Sequence, residues 1–255
     1  MAFPNPLAAH FGNVVDEYED GRPNFPPATV GALAAELGLA PGARVLDLAA
    51  GTGKLTRGLV AGDFDVVAVE PGEQMRERLA AGIGAERVLA GFAEAIPLDD
   101  RSVDAVTVAD AWHWFDQEAA LAEIHRVLRR EPDSGGLAVI FVGQDWRGTA
   151  WADDLAEHVA DLRPEHPLFD GPPWQEVVRN SADWGPLWEI SVRASAPASR
   201  EQILNYVSSF SFMAMKTPEE RAEAAARADA IIGSTEVPDE LPVRFRISLA
   251  RPVAG

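Results

Sequence analysis

Val45-Leu46-Asp47-Leu48-Ala49-Ala50-Gly51-Thr52-Gly53-Lys54-Leu55-Thr56, followed by Val66-Val67-Ala68-Val69-Glu70, is the stretch on which the fold turns. Residues 45–49 form a short apolar run, read as a buried strand. The glycines make a turn, residues 53–60 open a helix, and residues 66–69 give a second strand closed by an acid. The alternation extends outward. Upstream, residues 27–39 carry Val30, Leu33, Ala34 and Leu37 at helical spacing and stop at Gly38 and Pro41-Gly42. Downstream come a helix over 74–81, a weaker strand at 87–90, a buried strand at 103–109 and an amphipathic helix over 117–129 with Leu121, Ile124 and Leu128 inward. A strand at 137–142 follows. Strands alternating with helices predict a parallel sheet covered on both faces.

The second half breaks this rhythm. Residues 145–179 are rich in Trp, Pro and Asp, with a helix expected over 150–162. A strand is expected at 188–194, and helices over 199–210 and 218–232, the latter opened by Thr217-Pro218-Glu219-Glu220. Residues 243–249 alternate strictly and predict a late strand. The helical material before it would cap the carboxyl edge of the sheet, where open α/β sheets bind ligands.

The 255 residues suffice for one large domain with a full core. A net charge of −18, with Lys54 and Lys216 the only lysines, argues against a surface that neutralises many phosphates, so no nucleic-acid partner is expected. Cysteine is absent, which removes disulfides, thiolate metal sites and cysteine nucleophiles and fits a cytoplasmic protein. Met1-Ala2-Phe3-Pro4-Asn5-Pro6 lacks the basic and apolar regions of a signal peptide, and no apolar run is long enough to span a bilayer. No metal is expected: Asp153-Asp154 reads as a helix surface, and His10, His158 and His166 have no motif around them. His125, on its helix among arginines, is expected to be solvated.

Three cofactors compete for the glycine turn. A phosphate-cradling loop needs a glycine where Leu48 stands and a Ser or Thr where Leu55 stands. A dinucleotide fingerprint fits Gly51 and Gly53, but Thr56 fills the third site, where glycine permits close packing of helix on sheet. S-adenosylmethionine fits differently. The turn lets backbone approach its methionine and ribose, and Glu70, at the end of the second strand, can accept from both ribose hydroxyls, with Pro71 shaping the turn beneath adenine.

Val45 to Thr56 with Glu70 resembles motifs I and II of the class I S-adenosylmethionine-dependent methyltransferases. Gly91-Phe92-Ala93-Glu94-Ala95-Ile96-Pro97-Leu98 resembles their adenine-contact segment. Ala109-Asp110-Ala111-Trp112-His113-Trp114-Phe115-Asp116 resembles the segment after their fourth strand. Tyr18-Glu19-Asp20-Gly21-Arg22-Pro23-Asn24-Phe25-Pro26 is similar to an amino-terminal signature of a branch containing trans-aconitate methyltransferases. The resemblance implies a Rossmann-like, mostly parallel seven-stranded sheet with helices on both faces and a helical cap. It divides the chain into a lid segment and first helix (1–42), a cofactor core (43–143), a cap with the substrate pocket (144–240) and a returning strand (241–255). The chain departs from the family pattern at Phe92, which replaces an adenine-binding Asp, at Asp110 for Gln, at Phe25 for Tyr and at Ala49 for Gly.

The resemblance also implies cofactor roles for Tyr18, Arg22, Asp47, Ala49, Gly51, Gly53, Glu70, Pro71, Met75, Phe92, Ala93, Glu94, Asp110 and Ala111. Tyr18 and Arg22 would fold over the cofactor as a lid, with the guanidinium near the methionine carboxylate. Asp47 would serve the methionine ammonium, or act as a turn acid. Met75 and Phe92 would sandwich adenine, or pack as core. His113 is the candidate catalytic residue, a base or an orienting donor, or else a ring in the pocket wall. Tryptophans 146, 151, 174, 184 and 188 would line an aromatic acceptor pocket or pack as core. The expected activity is methyl transfer from S-adenosylmethionine to a small molecule, at carboxylate or hydroxyl oxygen, nitrogen or carbon, releasing S-adenosylhomocysteine. The branch tilts this towards a carboxylate, and the Ala/Arg/Gly-rich composition towards a bacterial natural-product pathway. A cofactor-binding protein of this fold catalysing another reaction, and an NAD-dependent oxidoreductase, are the alternatives. The oligomeric state is left open.

Overall fold

The structure is a computed structural model that describes residues 6–131, 134–146, 148–163 and 173–253. Seven strands form one sheet: β1 (Arg44–Leu48), β2 (Asp65–Val69), β3 (Val88–Leu89), β4 (Ala105–Ala109), β5 (Gly136–Gln144), β6 (Trp188–Pro197) and β7 (Glu240–Ala250). Their order is β3-β2-β1-β4-β5-β7-β6. The first five pair in parallel, and β7 runs antiparallel between β5 and β6. The sheet is therefore Rossmann-like and mostly parallel, and its strand order reverses at β1.

Near-continuous apolar strands signal burial on both faces. In β1, Val45 faces one layer and Leu46 and Leu48 the other; in β5, Ala138 and Ile140 face the first and Leu137 and Val139 the second. Helices α2 (Pro27–Leu37) and α3 (Lys54–Ala61) cover the first face through Val30, Leu33, Leu37, Leu55 and Leu59. Pro27 starts α2 with its fixed φ, and Gly38, at φ 64°, ends it in the left-handed region. Helix α4 (Glu73–Ile83) flanks β3. Helix α5 (Gln117–Val127) covers the second face with a stripe of Ala120, Leu121, Ile124 and Val127. A short helix, α7 (Gln175–Asn180), packs beside it.

Helices α6 (Ala152–Leu162), α8 (Arg200–Ser208) and α9 (Pro218–Ile232) share a separate small core of Trp151, Leu155, Ile203, Val207, Ala228 and Ile232. The Thr217/Glu220 capping box and Pro218 at the first helical position set the start of α9. Among the described residues, no helix is long and apolar enough to cross a membrane. No His/Cys/Asp/Glu group among them could hold a metal ion.

Besides short 3-10 turns at 85–87, 112–114 and 213–215, three elements have no counterpart in the sequence reading. One is α7, too short to show periodicity. The others are a 3-10 segment, Pro6–Val14, and the α1 helix (Val15–Gly21) it leads into, which buries no residue of its own. Helix α1 lies against α8 so closely that a Cβ on Gly21 would sit 2.3 Å from the Tyr206 nitrogen and 2.4 Å from the Asn205 carbonyl carbon. The two helices meet backbone to backbone, and only glycine fits there. His166, named from the sequence, lies outside the described residues.

Candidate functional site

The glycine turn connects β1 to α3. Ala49, Gly51 and Gly53 take positive φ values of 55°, 58° and 90°. Gly53 is buried, and a Cβ there would lie 2.6 Å from Cδ1 of Leu79, so glycine brings α3 close to α4. Below the turn, the Asp47 carboxylate accepts from the Thr56 hydroxyl at 2.6 Å and the Thr107 hydroxyl at 3.0 Å. One acid thus pins the first turn of α3 and strand β4 to the end of β1. Burial raises its pKa to about 6 against the lowering effect of the two hydroxyls.

Glu70, 7% exposed at the end of β2, accepts from the Gly51 N–H at 2.9 Å and the Gly72 N–H at 2.8 Å, one on each oxygen. Burial raises its pKa to about 7, opposed first by these two bonds and then by Arg76. Each oxygen keeps a second lone pair for a ligand hydroxyl.

Glu70 opens into a cavity of about 410 Å³ at the carboxyl ends of β1, β2 and β4. Pro71, Met75, Phe92 and Ala93 line one part of it, with Ala49 and Gly51 of the turn. Glu94 also lines it while accepting from the Asp116 N–H at 2.8 Å. Asp110, at φ 50°, accepts from the Val142 N–H at 3.0 Å. Burial raises the Asp110 pKa, with the Arg22 guanidinium the leading opposing influence. Ala111 and His113 follow on the same wall; the His113 ring lies 4.5 Å from Trp114 and 6.3 Å from Phe141, centroid to centroid.

The amino-terminal segment closes the cavity. Lys54 donates to the Glu19 carbonyl, and Arg57 pairs with the Glu19 carboxylate at 2.8 Å, so α1 is tied to the start of α3. Arg22 Nε donates to the Ser209 hydroxyl at 2.8 Å, and its guanidinium lies 4.9 Å and 4.8 Å from the ring centroids of Tyr206 and Phe210. Burial pushes the Tyr18 phenol up to about 12, so it stays protonated as a donor.

Tyr18, Arg22, Ala49, Gly51, Glu70, Pro71, Met75, Phe92, Ala93, Glu94, Asp110, Ala111 and His113 all line this cavity. Asp47 and Gly53 do not. Asp47 is turned to its two threonines and touches only a smaller neighbouring cleft, so it props the turn from behind. The five tryptophans at 146, 151, 174, 184 and 188 do not line the cavity either. Trp174 and Trp184 belong to the sheet core, Trp151 and Trp146 to the small helical core, and Trp188 donates to Glu36 at 2.9 Å. His125 is half-buried against Trp184 and so only partly solvated, and burial lowers its pKa. The sequence reading missed Phe11, Tyr206, Phe210 and Phe212, which supply much of the aromatic lining. The run Ser209-Phe210-Ser211-Phe212, just past α8, was the available signal.

The donor set suits S-adenosylmethionine: a buried acid for vicinal hydroxyls, apolar walls for a purine, a glycine turn and one guanidinium for a carboxylate. The methyltransferase-domain family matches residues 46–137. An uncharacterised methyltransferase of Mycobacterium tuberculosis is 42% identical over 182 residues, 70% of this chain and 71% of that protein. An uncharacterised methyltransferase-like protein of Schizosaccharomyces pombe is 31% identical over 214 residues, 84% of this chain and 81% of that one. A solved structure of a candidate type II methyltransferase from Anaeromyxobacter dehalogenans superposes with a TM-score of 0.59 at 25% identity, over 91% of this chain and 97% of that chain. These likenesses displace the oxidoreductase alternative: the chain belongs to the class I S-adenosylmethionine-dependent methyltransferases.

Proposed function

We propose that the protein methylates a small molecule in the cytoplasm, as a member of the branch similar to trans-aconitate methyltransferases, and that the 410 Å³ cavity receives both cofactor and acceptor. When bound, S-adenosylmethionine supplies an electrophilic methyl group on a sulfonium. In this reading Glu70 accepts from the ribose hydroxyls, while Pro71, Met75, Phe92 and Ala93 flank the adenine. Arg22, steadied by Ser209 and the two rings, presents its remaining N–H groups to the methionine carboxylate. Ala49, Gly51 and Asp110 bring the chain close to the methionine portion. Asp47 acts indirectly, by fixing the turn through Thr56 and Thr107. His113 orients the acceptor and takes its proton where it has one to lose. Positioning of the acceptor supplies much of the rate, because the nucleophile must approach in line.

Residues 1–42 would then be the lid and first helix, 43–143 the cofactor core, 144–240 the segment that supplies the cap, although its α7 and β6 belong to the sheet layers, and 241–255 the returning strand. The observation that carries the reading is that Gly51, Glu70, Phe92, Asp110, Arg22 and His113, scattered over 92 positions, line one cavity beside the point where the strand order reverses. Calorimetry with S-adenosylhomocysteine and with NAD tests it. The product should bind, and Glu70→Ala should weaken it by about 10- to 100-fold, the scale of hydrogen bonds to a charged group. Unchanged affinity would remove Glu70 from the ribose site. Binding of NAD in place of S-adenosylhomocysteine would sink the reading as a whole.

A further inference from the structure

The part of the cavity beyond the turn and Glu70 is built from rings. Phe11 meets Trp114 edge to face at 5.7 Å, and Phe210 stacks on Phe212 at 5.2 Å with an interplanar angle of 10°. These four rings line the cavity beside His113. Its charges are one-sided. The lining of the whole cavity carries the acids Glu70, Glu73, Glu94 and Asp110, of which the proposed function gives Glu70 and Asp110 to the cofactor, and among the described residues Arg22 is its only Arg or Lys. That guanidinium already donates to Ser209 and lies over two rings, and in the proposed function its remaining donors serve the cofactor carboxylate. An acceptor carboxylate would enter a ring-walled space with no described Arg or Lys left to pair with it. Such a charge loses its hydration without compensation. Flat apolar faces lose little on entry and gain ring contacts.

We propose that the acceptor is a flat, largely apolar aromatic molecule without a carboxylate, methylated at a hydroxyl oxygen or an amine nitrogen. This rests on the methyltransferase reading and narrows it against the carboxylate that the branch resemblance suggests. A lone pair on the acceptor oxygen or nitrogen forms the new bond to the donated methyl carbon. The carbon–sulfur bond breaks with its electron pair left on sulfur, and the acceptor's proton passes to the imidazole of His113. A carboxylate, ionised at neutral pH, would make no use of that imidazole.

The experiment uses the full chain saturated with S-adenosylhomocysteine and matched probes: 2-naphthol, 2-naphthylamine and 2-naphthoate, with trans-aconitate as the polycarboxylate. Calorimetry should show naphthol and naphthylamine binding and naphthoate at least about tenfold weaker, as expected for a charge without a partner. trans-Aconitate should show no heat of binding. Phe212→Leu, at a lining ring that does not touch Arg22, should weaken naphthol several-fold and leave S-adenosylhomocysteine affinity intact, which also shows that the variant is folded. Naphthoate or trans-aconitate binding as tightly as naphthol would overturn the proposal, and so would failure of both uncharged probes. Failure of S-adenosylhomocysteine itself to bind would instead strike the underlying reading, and this one with it.

Discussion

Gly21→Ala tests the closure of the cavity at the point where it is tightest. The new methyl group would lie 2.3 Å from the Tyr206 nitrogen and 2.4 Å from the Asn205 carbonyl carbon, where ordinary contact begins at 3.4 Å. Both are main-chain atoms inside α8, so no side chain can swing aside. Relief requires α1 to retreat by about 1 Å or α8 to bend, and overpacking of this kind costs about 1–3 kcal/mol. Alanine in place of glycine returns up to about 1 kcal/mol inside a helix and less at its last residue, which Gly21 is. The net loss should therefore be about 1–2 kcal/mol, read as a lower midpoint in urea at unchanged slope. The site should feel it as well, because Arg22 is the next residue and reaches Ser209, Tyr206 and Phe210 across the same contact. A displacement of about 1 Å should lower S-adenosylhomocysteine affinity several-fold and turnover by about tenfold or more. A variant as stable as the parent, with unchanged affinity, would show that α1 does not rest on α8 in solution.

Gly31→Ala is the matched control. Its Cβ would meet nothing within 4 Å on the exposed side of α2, so stability should rise by about 0.5–1 kcal/mol in the same urea titration. His113→Ala should lower kcat about a hundredfold while S-adenosylhomocysteine affinity stays within a factor of two, the split expected for a residue acting on the acceptor. Equal turnover would return His113 to the pocket wall. The raised pKa values of Glu70, about 7, and Asp47, about 6, mean that the folded chain holds these two protons more tightly than the unfolded chain. Their stabilising contribution is complete below the unfolded carboxyl values and is lost as pH rises through about 6 to 7. Cofactor affinity should move the opposite way, rising through about pH 7 as Glu70 ionises to accept from the ribose, and Glu70→Gln should flatten the affinity profile and leave only the Asp47 part of the stability profile. A parent protein with flat profiles would contradict the burial of these acids.

Strand positions were legible because strands buried on both faces are written as compact apolar runs, such as Val66 to Val69, whatever surrounds them. Helix α9 was legible end to end because Thr217, Pro218 and Glu220 specify its start locally. Helix α1 was not, because its reason to exist lies in α8, about 185 positions away. A glycine at a helix terminus looks like punctuation until the opposing backbone is seen. The direction of Asp47 was illegible in the same way. Its type and place suited a ligand, but Thr56 and Thr107, nine and sixty residues later, each donate to one of its oxygens, and it does not line the cavity. The tryptophans could not be sorted by composition, since an apolar pocket and a small helical core draw on the same side chains.

That sorting leaves the molecule with a spectroscopic address. Of its seven tryptophans, Trp114 alone lines the cavity, beside His113 and edge-on to Phe11. The other six report on the sheet, the helical core or the loops. A change in indole emission on adding cofactor or acceptor should therefore come mainly from this ring, with Trp146, 5.2 Å from the lining ring of Tyr206, the next in line, and Trp114→Phe should remove most of it.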